Sequence, residues 1–357
     1  MVALARSHER VSVRPSDLDR DPWKLNVENG TIDLRTGKLH THDPADLITK
    51  LAPVAYDPSA TCPEFEAFLD VVMAGDADLI SFLQRAVGYT LTGDVREQVL
   101  FLLYGTGANG KTTFVTTMLS VLGDYGLQAE PELLVVRRGD VHPTGVADLV
   151  GSRLAVCAEV EQGRWLAEAL TKQLTGGDRI KARRMHRDFF EFDATHKLYL
   201  AANHKPVIRG TDHAIWRRIL LVPFAVTIPA HKQDRDLLDK LKEELPGILA
   251  WAVRGCLEWK KSGLAPPAAV KAATDAYREE MDTLADFIAD RCTIAPGAKV
   301  KVGELRKAYE EWCEKTGEKP LGARLFGQLL TARGHEPDRD GNTRYRQGIQ
   351  VRDDVPF

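Results

Sequence analysis

The stretch GTGANGKTT (Gly105–Thr113) follows the apolar run VLFLLY (Val99–Tyr104) and precedes an amphipathic pattern over Phe114–Leu122. It fits G-x-x-x-x-G-K-[ST], with Gly105, Gly110, Lys111 and Thr112 at the fixed positions. In that strand–loop–helix setting, the pattern predicts a phosphate cradle built from Gly105, Thr106, Gly107, Ala108, Asn109, Gly110, Lys111, Thr112 and Thr113. Glycines let the backbone turn its N–H groups inward, and the positive end of the following helix faces the same charge. Lys111 is placed to reach the β- and γ-phosphates, and the Thr112 hydroxyl to hold Mg²⁺. The segment is read as a nucleotide-binding site.

The chain has 357 residues, a net charge of −3, 28% charged and 44% hydrophobic residues. That length predicts more than one core, and the charge balance confines any nucleic-acid site to a local patch. Five scattered cysteines without a C-x-x-C pair read as buried reduced thiols. No signal peptide and no apolar run approaching ~18 residues is visible, so a cytoplasmic chain without a membrane partner is expected.

Residues 1–20 read as a tail or linker remnant, and residues 21–98 as a small β+α module. Its meander alternates around Asn29-Gly30 and Thr36-Gly37. Thr61 and Glu64 have the spacing of a capping box ahead of the next helix. Residues 99–262 alternate strands and helices as a parallel sheet requires, with strands expected at Val99–Tyr104, Arg153–Glu159, Lys197–Ala202 and Ile219–Val222. SGLAPPAA (Ser262–Ala269) reads as a linker. Residues 263–357 hold helical patterns near Val270–Arg291, Val302–Lys315 and Leu321–Arg333, then a hairpin, in the outline of a winged helix.

The apolar strand RLAVCA runs into Glu159, with Glu161 two residues on, supplying carboxylates to hold Mg²⁺ and polarise water. A later strand ends at Asn203, an amide suited to orienting water against a γ-phosphate. Arg217 and Arg218 enter the next strand, either as a solvated edge or as a charge-stabilising finger. Between these, Lys181, Arg183, Arg184, His186 and Arg187 suggest a hairpin with a basic tip. Its local charge opposes the global one, which favours phosphate contact.

With these pieces in this order, the chain resembles the superfamily 3 helicases, above all the helicase portion of phage and plasmid primase–helicases related to the poxvirus primase–helicase. The resemblance rests on NVENGTIDLRTGKL, GTGANGKTTF, AEVEQG, LTGGDRIKARRMHRDFFEF and AANHKPVIRGTDHAIWRRILLVPF. It implies an α/β fold: a P-loop, AAA+-type ATPase core with the small N-terminal module and a C-terminal winged-helix domain. It also implies ATP and Mg²⁺ as cofactors, a homo-hexamer with nucleotide between subunits, and single-stranded and forked DNA as partners, with a separate primase or replisome proteins alongside. By that likeness Lys111, Glu159, Glu161, Asn203, Arg217 and Arg218 are catalytic, with Thr112 and Glu159 on the metal. The basic segment grips DNA in a central channel, and Arg344 and Arg346 of the terminal hairpin contact DNA. The acidic motif departs from the family's adjacent pair, being E-x-E. No primase-type polymerase domain is seen upstream. A chain encoded by a phage or mobile element in a bacterial host is expected. The rival readings are an ATP-switched initiator or loader without unwinding, and a nucleotide kinase.

Overall fold

The structure is a computed structural model and describes residues 13–136, 144–158, 162–185, 187–208, 213–318 and 320–352. It divides into two compact units, Met1–Asp275 and Ala276–Phe357.

The first unit opens with the meander β1 (Lys24–Val27), β2 (Gly30–Asp33) and β3 (Lys38–His40). Helices α1 (Pro63–Val72) and α2 (Ala77–Leu91) follow, then β4 (Leu100–Tyr104), α3 (Lys111–Leu122), β5 (Gly126–Ala129), α4 (Thr144–Ala147) and β6 (Leu154–Ala158). Next come α5 (Glu168–Thr175), the hairpin β7 (Ile180–Arg183) and β8 (Phe189–Phe192), β9 (Lys197–Ala202), α6 (His213–Trp216) and β10 (Ile219–Pro223). Helices α7 (Leu237–Glu243) and α8 (Leu245–Ser262) follow, and α9 (Ala268–Glu280) contains the division between the two units. Strands β10-β4-β9-β6-β5 form one five-stranded sheet, parallel throughout. Four of these strands are the expected ones. The fifth, β5, reads GLQA and has no β-branched residue to mark it.

Residues 21–98 do not form a separate unit. Leu25, Phe65 and Phe82 share one buried cluster with Phe101, Phe114 and Trp251. Two buried cations strengthen the join. Lys197, at the start of β9, donates to the carbonyls of Thr92, Asp94 and Thr195; burial holds its pKa well below the usual ammonium range. Arg153, just before β6, donates to the carbonyls of Leu91 and Lys24 and lies 4.4 Å from the Tyr125 ring centroid. The expected capping box at Thr61 is also absent. Cys62 is the N-cap and makes no side-chain hydrogen bond there. The Glu244 carboxylate accepts instead from the Glu64 and Phe65 amides at 3.1 and 2.9 Å.

The second unit contains α10 (Thr283–Arg291), β11 (Cys292–Lys301), α11 (Val302–Thr316), α12 (Ala323–Ala332), β12 (Pro337–Asp340) and β13 (Thr343–Val351). Its sheet order is β11-β13-β12, antiparallel. Phe287, Tyr309, Trp312, Phe326 and Ile349 make its core. β11 escaped the sequence reading because Pro296 and Gly297 interrupt it, at a register shift between Ile294 and Lys299. The unit boundary falls at 275/276, beyond the linker that suggested 262/263.

Helices α2 and α8 pack backbone to backbone. A Cβ on Gly88 would lie 2.0 Å from the Cys256 nitrogen, and one on Gly255 2.0 Å from the Gln84 oxygen. Gly88→Ala is therefore expected to destabilise the protein by about 1–3 kcal/mol or more through forced separation of the helices. Gly303→Ala, where an added Cβ meets nothing within 4 Å, is expected to cost nothing. Thermal unfolding of the two variants checks this, and equal midpoints would refute the close packing.

Candidate functional site

The phosphate loop sits where the central strand β4 ends. Phe101 and Leu103 are buried, so the strand is held within the core, and its last residue, Tyr104, pairs with Pro223 of β10 and Ala202 of β9. The turn that follows requires left-handed backbone at Gly107 (φ 115°) and Gly110 (φ 82°). Gly110 is the N-cap of α3, so the open amides of that helix point into the loop. An added Cβ on Gly110 would lie 2.6 Å from Val72 Cγ1; the N-terminal helix α1 thus shapes the loop from outside. An added Cβ on Gly105 would strike Asn109 Nδ2 at 2.1 Å and the Phe224 oxygen at 2.3 Å.

Lys111 is the first residue of α3 and is buried. Its Nζ donates to the Gly105 carbonyl at 2.6 Å, to Asn109 Oδ1 at 2.8 Å and to Asn203 Oδ1 at 3.0 Å. No carboxylate lies among those acceptors, and burial pushes its pKa down to about 8. Asn109 Nδ2 donates in turn to the Phe224 carbonyl at 3.3 Å. The backbone adds two more ties: Phe224 N to Tyr104 O and Ile228 N to Ala108 O, both at 2.7 Å. The sequence placed Asn109 only as a loop residue; its amide in fact joins Lys111 to the segment after β10. Thr106, Ala108 and Thr112 are exposed, Thr113 half-buried. These residues suit a triphosphate with Mg²⁺: an added Cβ on Gly107 meets nothing within 4 Å, so the cradle is open there, and the Thr112 hydroxyl stands in the first turn of α3.

Asn203 follows β9, which lies between β4 and β6. β6 ends at Ala158, opposite Ala201 of β9 and at the same rim as the loop. Glu159 and Glu161 lie outside the described residues, as does His186. Among the described residues no cluster of three or more His, Cys, Asp or Glu could hold a metal ion.

Arg217 and Arg218 stand at the other rim. Ile219 pairs with Leu100 at the start of β4, so five strand residues, about 16 Å, separate them from the loop. Arg217 is exposed. Arg218 is buried, donating through Nε to Thr175 Oγ1 at 3.2 Å and through a terminal nitrogen to the Ala214 carbonyl at 2.6 Å.

The basic segment forms the expected hairpin, with Lys181 opposite Glu191 and Arg183 opposite Phe189. Ile180 and Ala182 are buried on one face; Lys181, Phe189 and Glu191 are exposed on the other. Arg184 and Arg187 are exposed at the tip, beside Asp188. The sequence did not single out Phe189 as a functional residue. The signal was its spacing of two from Glu191, which puts both on the solvent face.

In the second unit Arg344 is exposed and directly opposite Arg339. Arg346 corrects its expected role. Its guanidinium turns inward, donating to Thr331 Oγ1 at 2.7 Å, the His335 carbonyl at 2.9 Å and the Gly327 carbonyl at 2.8 Å. It braces α12 against β13, so its hydrogen-bonding nitrogens are engaged within the unit.

The sheet and its loop define a parallel α/β protein with a phosphate-loop type of core. Three family models match in chain order: D5 N terminal like over residues 1–74, a family of unknown function (DUF5906) over 103–218, and poxvirus D5 protein-like over 279–343. The chain is 25% identical over 331 residues to a candidate helicase of Acanthamoeba polyphaga mimivirus, covering 85% of this chain and 34% of that protein. It is 27% identical over 285 residues to a candidate helicase of Frog virus 3, covering 74% and 29%. A candidate primase of African swine fever virus is 26% identical over 325 residues, covering 83% and 34%. The chain spans about a third of the length of these relatives. Among solved structures, the apo C-terminal region of NrS-1 superposes with a TM-score of 0.50 at 10% identity, covering 98% of this chain and 88% of that one; this likeness concerns the fold alone. The chain therefore resembles the D5-related helicases and primases of large DNA viruses. These relatives are viral, and a bacterial host does not follow from them. No described helix is long and apolar enough to cross a membrane.

The buried ammonium predicts a pH dependence. A bound phosphate favours charged Lys111, so binding above about pH 8 must restore a proton that the free site has lost. Affinity for a nucleoside triphosphate is expected to be flat below about pH 7.5 and to weaken by up to about tenfold per pH unit above 8. Lys111→Arg, which stays charged, is expected to flatten that slope. Calorimetric titration across pH 7–9.5 checks it; constant wild-type affinity to pH 9.5 would refute the assignment.

Proposed function

We propose that this chain is the motor part of an ATP-dependent DNA helicase of the superfamily 3 type, serving replication of a viral or other mobile genome. The observation that carries the reading is the meeting of Lys111 with Asn203 at 3.0 Å, at the rim where β6 delivers the chain to Glu159. A phosphate loop, a polar amide just after the adjoining strand and an acidic residue that follows the next strand in sequence are the parts that ATP hydrolysis needs. In this reading, Lys111 neutralises phosphate charge, Asn203 orients the attacking water, and Glu159 or Glu161 polarises it. Thr112 and Glu159 would hold Mg²⁺, whose chemistry when bound is to screen the phosphate oxygens. The helicase and primase names of the viral relatives support the class.

In this reading the chain assembles as an AAA+-type ring, a homo-hexamer on single-stranded or forked DNA. Within one chain the two arginines just before β10 stand on the rim opposite the loop, so a finger formed by either would act on a neighbouring subunit. Of the two, Arg217 is exposed and suits that role, whereas Arg218 is held inside. The order helix, strand, two helices and two strands in the second unit supports the winged-helix reading, with Arg344 as a phosphate contact. The basic hairpin is the candidate grip on single-stranded DNA, through Lys181, Arg183, Arg184 and Arg187.

Lys111→Ala is expected to abolish turnover. Arg217→Ala is expected to fold normally and lose roughly 10³–10⁵ in turnover, with part of it restored on mixing with Lys111→Ala, because some interfaces then pair an intact loop with an intact finger. Arg218→Ala is expected instead to lower the unfolding midpoint. An ATPase titration of the variants alone and mixed tests this. Full activity of Arg217→Ala, with turnover per chain independent of concentration, would overturn the shared-site reading.

A further inference from the structure

We propose that Phe189 is a base-stacking platform: its ring takes one nucleobase of single-stranded DNA while Lys181 and Arg183 take the adjoining phosphates. This rests on the reading of the hairpin as a DNA grip, and it adds an apolar contact to an interface so far described by charge alone. Phe189 is 55% exposed and Met185, at the tip, 59%. A large aromatic side chain so exposed on a strand buries little for the fold, while its neighbours Phe190 and Phe192 point toward the other side with Ile180 and Ala182. The Lys181 ammonium and the Arg183 guanidinium each lie 4.9 Å from the Phe189 ring centroid. Aromatic surface and two positive charges are thus presented together on one face of the hairpin. Of the acids nearby, Glu191 lies opposite Lys181 and 3.7 Å from Arg179, Asp193 lies 3.4 Å from the same Arg179 at the base of the hairpin, and Asp188 adjoins Arg187 at the tip. Arg184, Arg187 and Arg183 outnumber that single tip carboxylate, so the surface complements a polyanion. Stacking on such a ring is indifferent to base identity, because every base has a π-face. A translocating grip needs that tolerance.

The test is binding of a fluorescent oligothymidine to the full chain at several salt concentrations, with Phe189→Ala, Phe189→Leu, Phe189→Trp and the double variant Arg184→Ala/Arg187→Ala. Stacking is expected to make Phe189→Ala bind roughly 5- to 100-fold more weakly with the salt slope of the wild type. Phe189→Leu, which keeps apolar volume but no ring, should be nearly as weak, and Phe189→Trp should bind at least as well as wild type. On an oligonucleotide of abasic sites the difference between wild type and Phe189→Ala should vanish. The double arginine variant should lower the salt slope by about 0.7 for each phosphate it no longer neutralises. A Phe189→Ala protein that binds as wild type while the arginine variant loses slope would overturn the platform and leave the hairpin grip standing. Wild-type protein that binds no single strand would overturn both. Sedimentation of the same variants covers the remaining occupant: abolished self-association at unchanged DNA affinity would mean that a second copy of the chain, not a base, covers the ring.

Discussion

The structure depends on one buried positive charge that, among the described residues, is held without a negative partner. Lys111 is fixed by three neutral oxygens, from Gly105, Asn109 and Asn203. Such an arrangement leaves the ammonium poorly compensated, as its depressed pKa records. The surrounding elements follow from that requirement. β4 must end where Gly105 can approach Asn109, α1 must press on Gly110, and β9 must carry Asn203 to the same point. Among the described residues no carboxylate answers that charge, and a site so built is prepared for an anion before one arrives.

The same device recurs, turned to a structural use, at the far rim of the sheet. Lys197 and Arg153 are also buried and also bound by carbonyl oxygens, those of residues 24, 91, 92, 94 and 195. Here the acceptors are mostly the ends of the N-terminal elements, and the cations are spent on the fold. The two cations therefore fasten residues 21–98 onto the sheet, and the apolar cluster shared by Leu25, Phe82 and Phe101 completes the join.

What could be read in advance follows the range of the interaction. The β4–loop–α3 unit, the parallel strands and the basic hairpin are set by neighbouring residues, and their periodicity and turn chemistry were legible. The contacts that decide roles are distant in sequence and were not. Glu244 caps a helix that begins 181 residues earlier at Pro63. Arg346 and Arg344 have the same charge on the same strand, yet one is bonded inward to α12 and the other exposed. Arg217 and Arg218 divide in a similar way, one exposed and one held inside. The residue type is the same within each pair, so only the partners say which guanidinium is left to solvent. β5 and β11 were hidden for local reasons, one lacking β-branched residues and the other broken by Pro296-Gly297.

Strand β10 links the two rims. At its head Leu100 donates to the Arg218 carbonyl at 2.7 Å; beyond its tail, Phe224 and Ile228 are bonded to Tyr104, Asn109 and Ala108 around the loop. Between them ILLVP contains no glycine, and paired extended backbone is close to its full length, so the segment has almost no slack. The exposed arginine before the head of the strand is thus joined, through one short stretch of paired backbone, to a loop that it never touches.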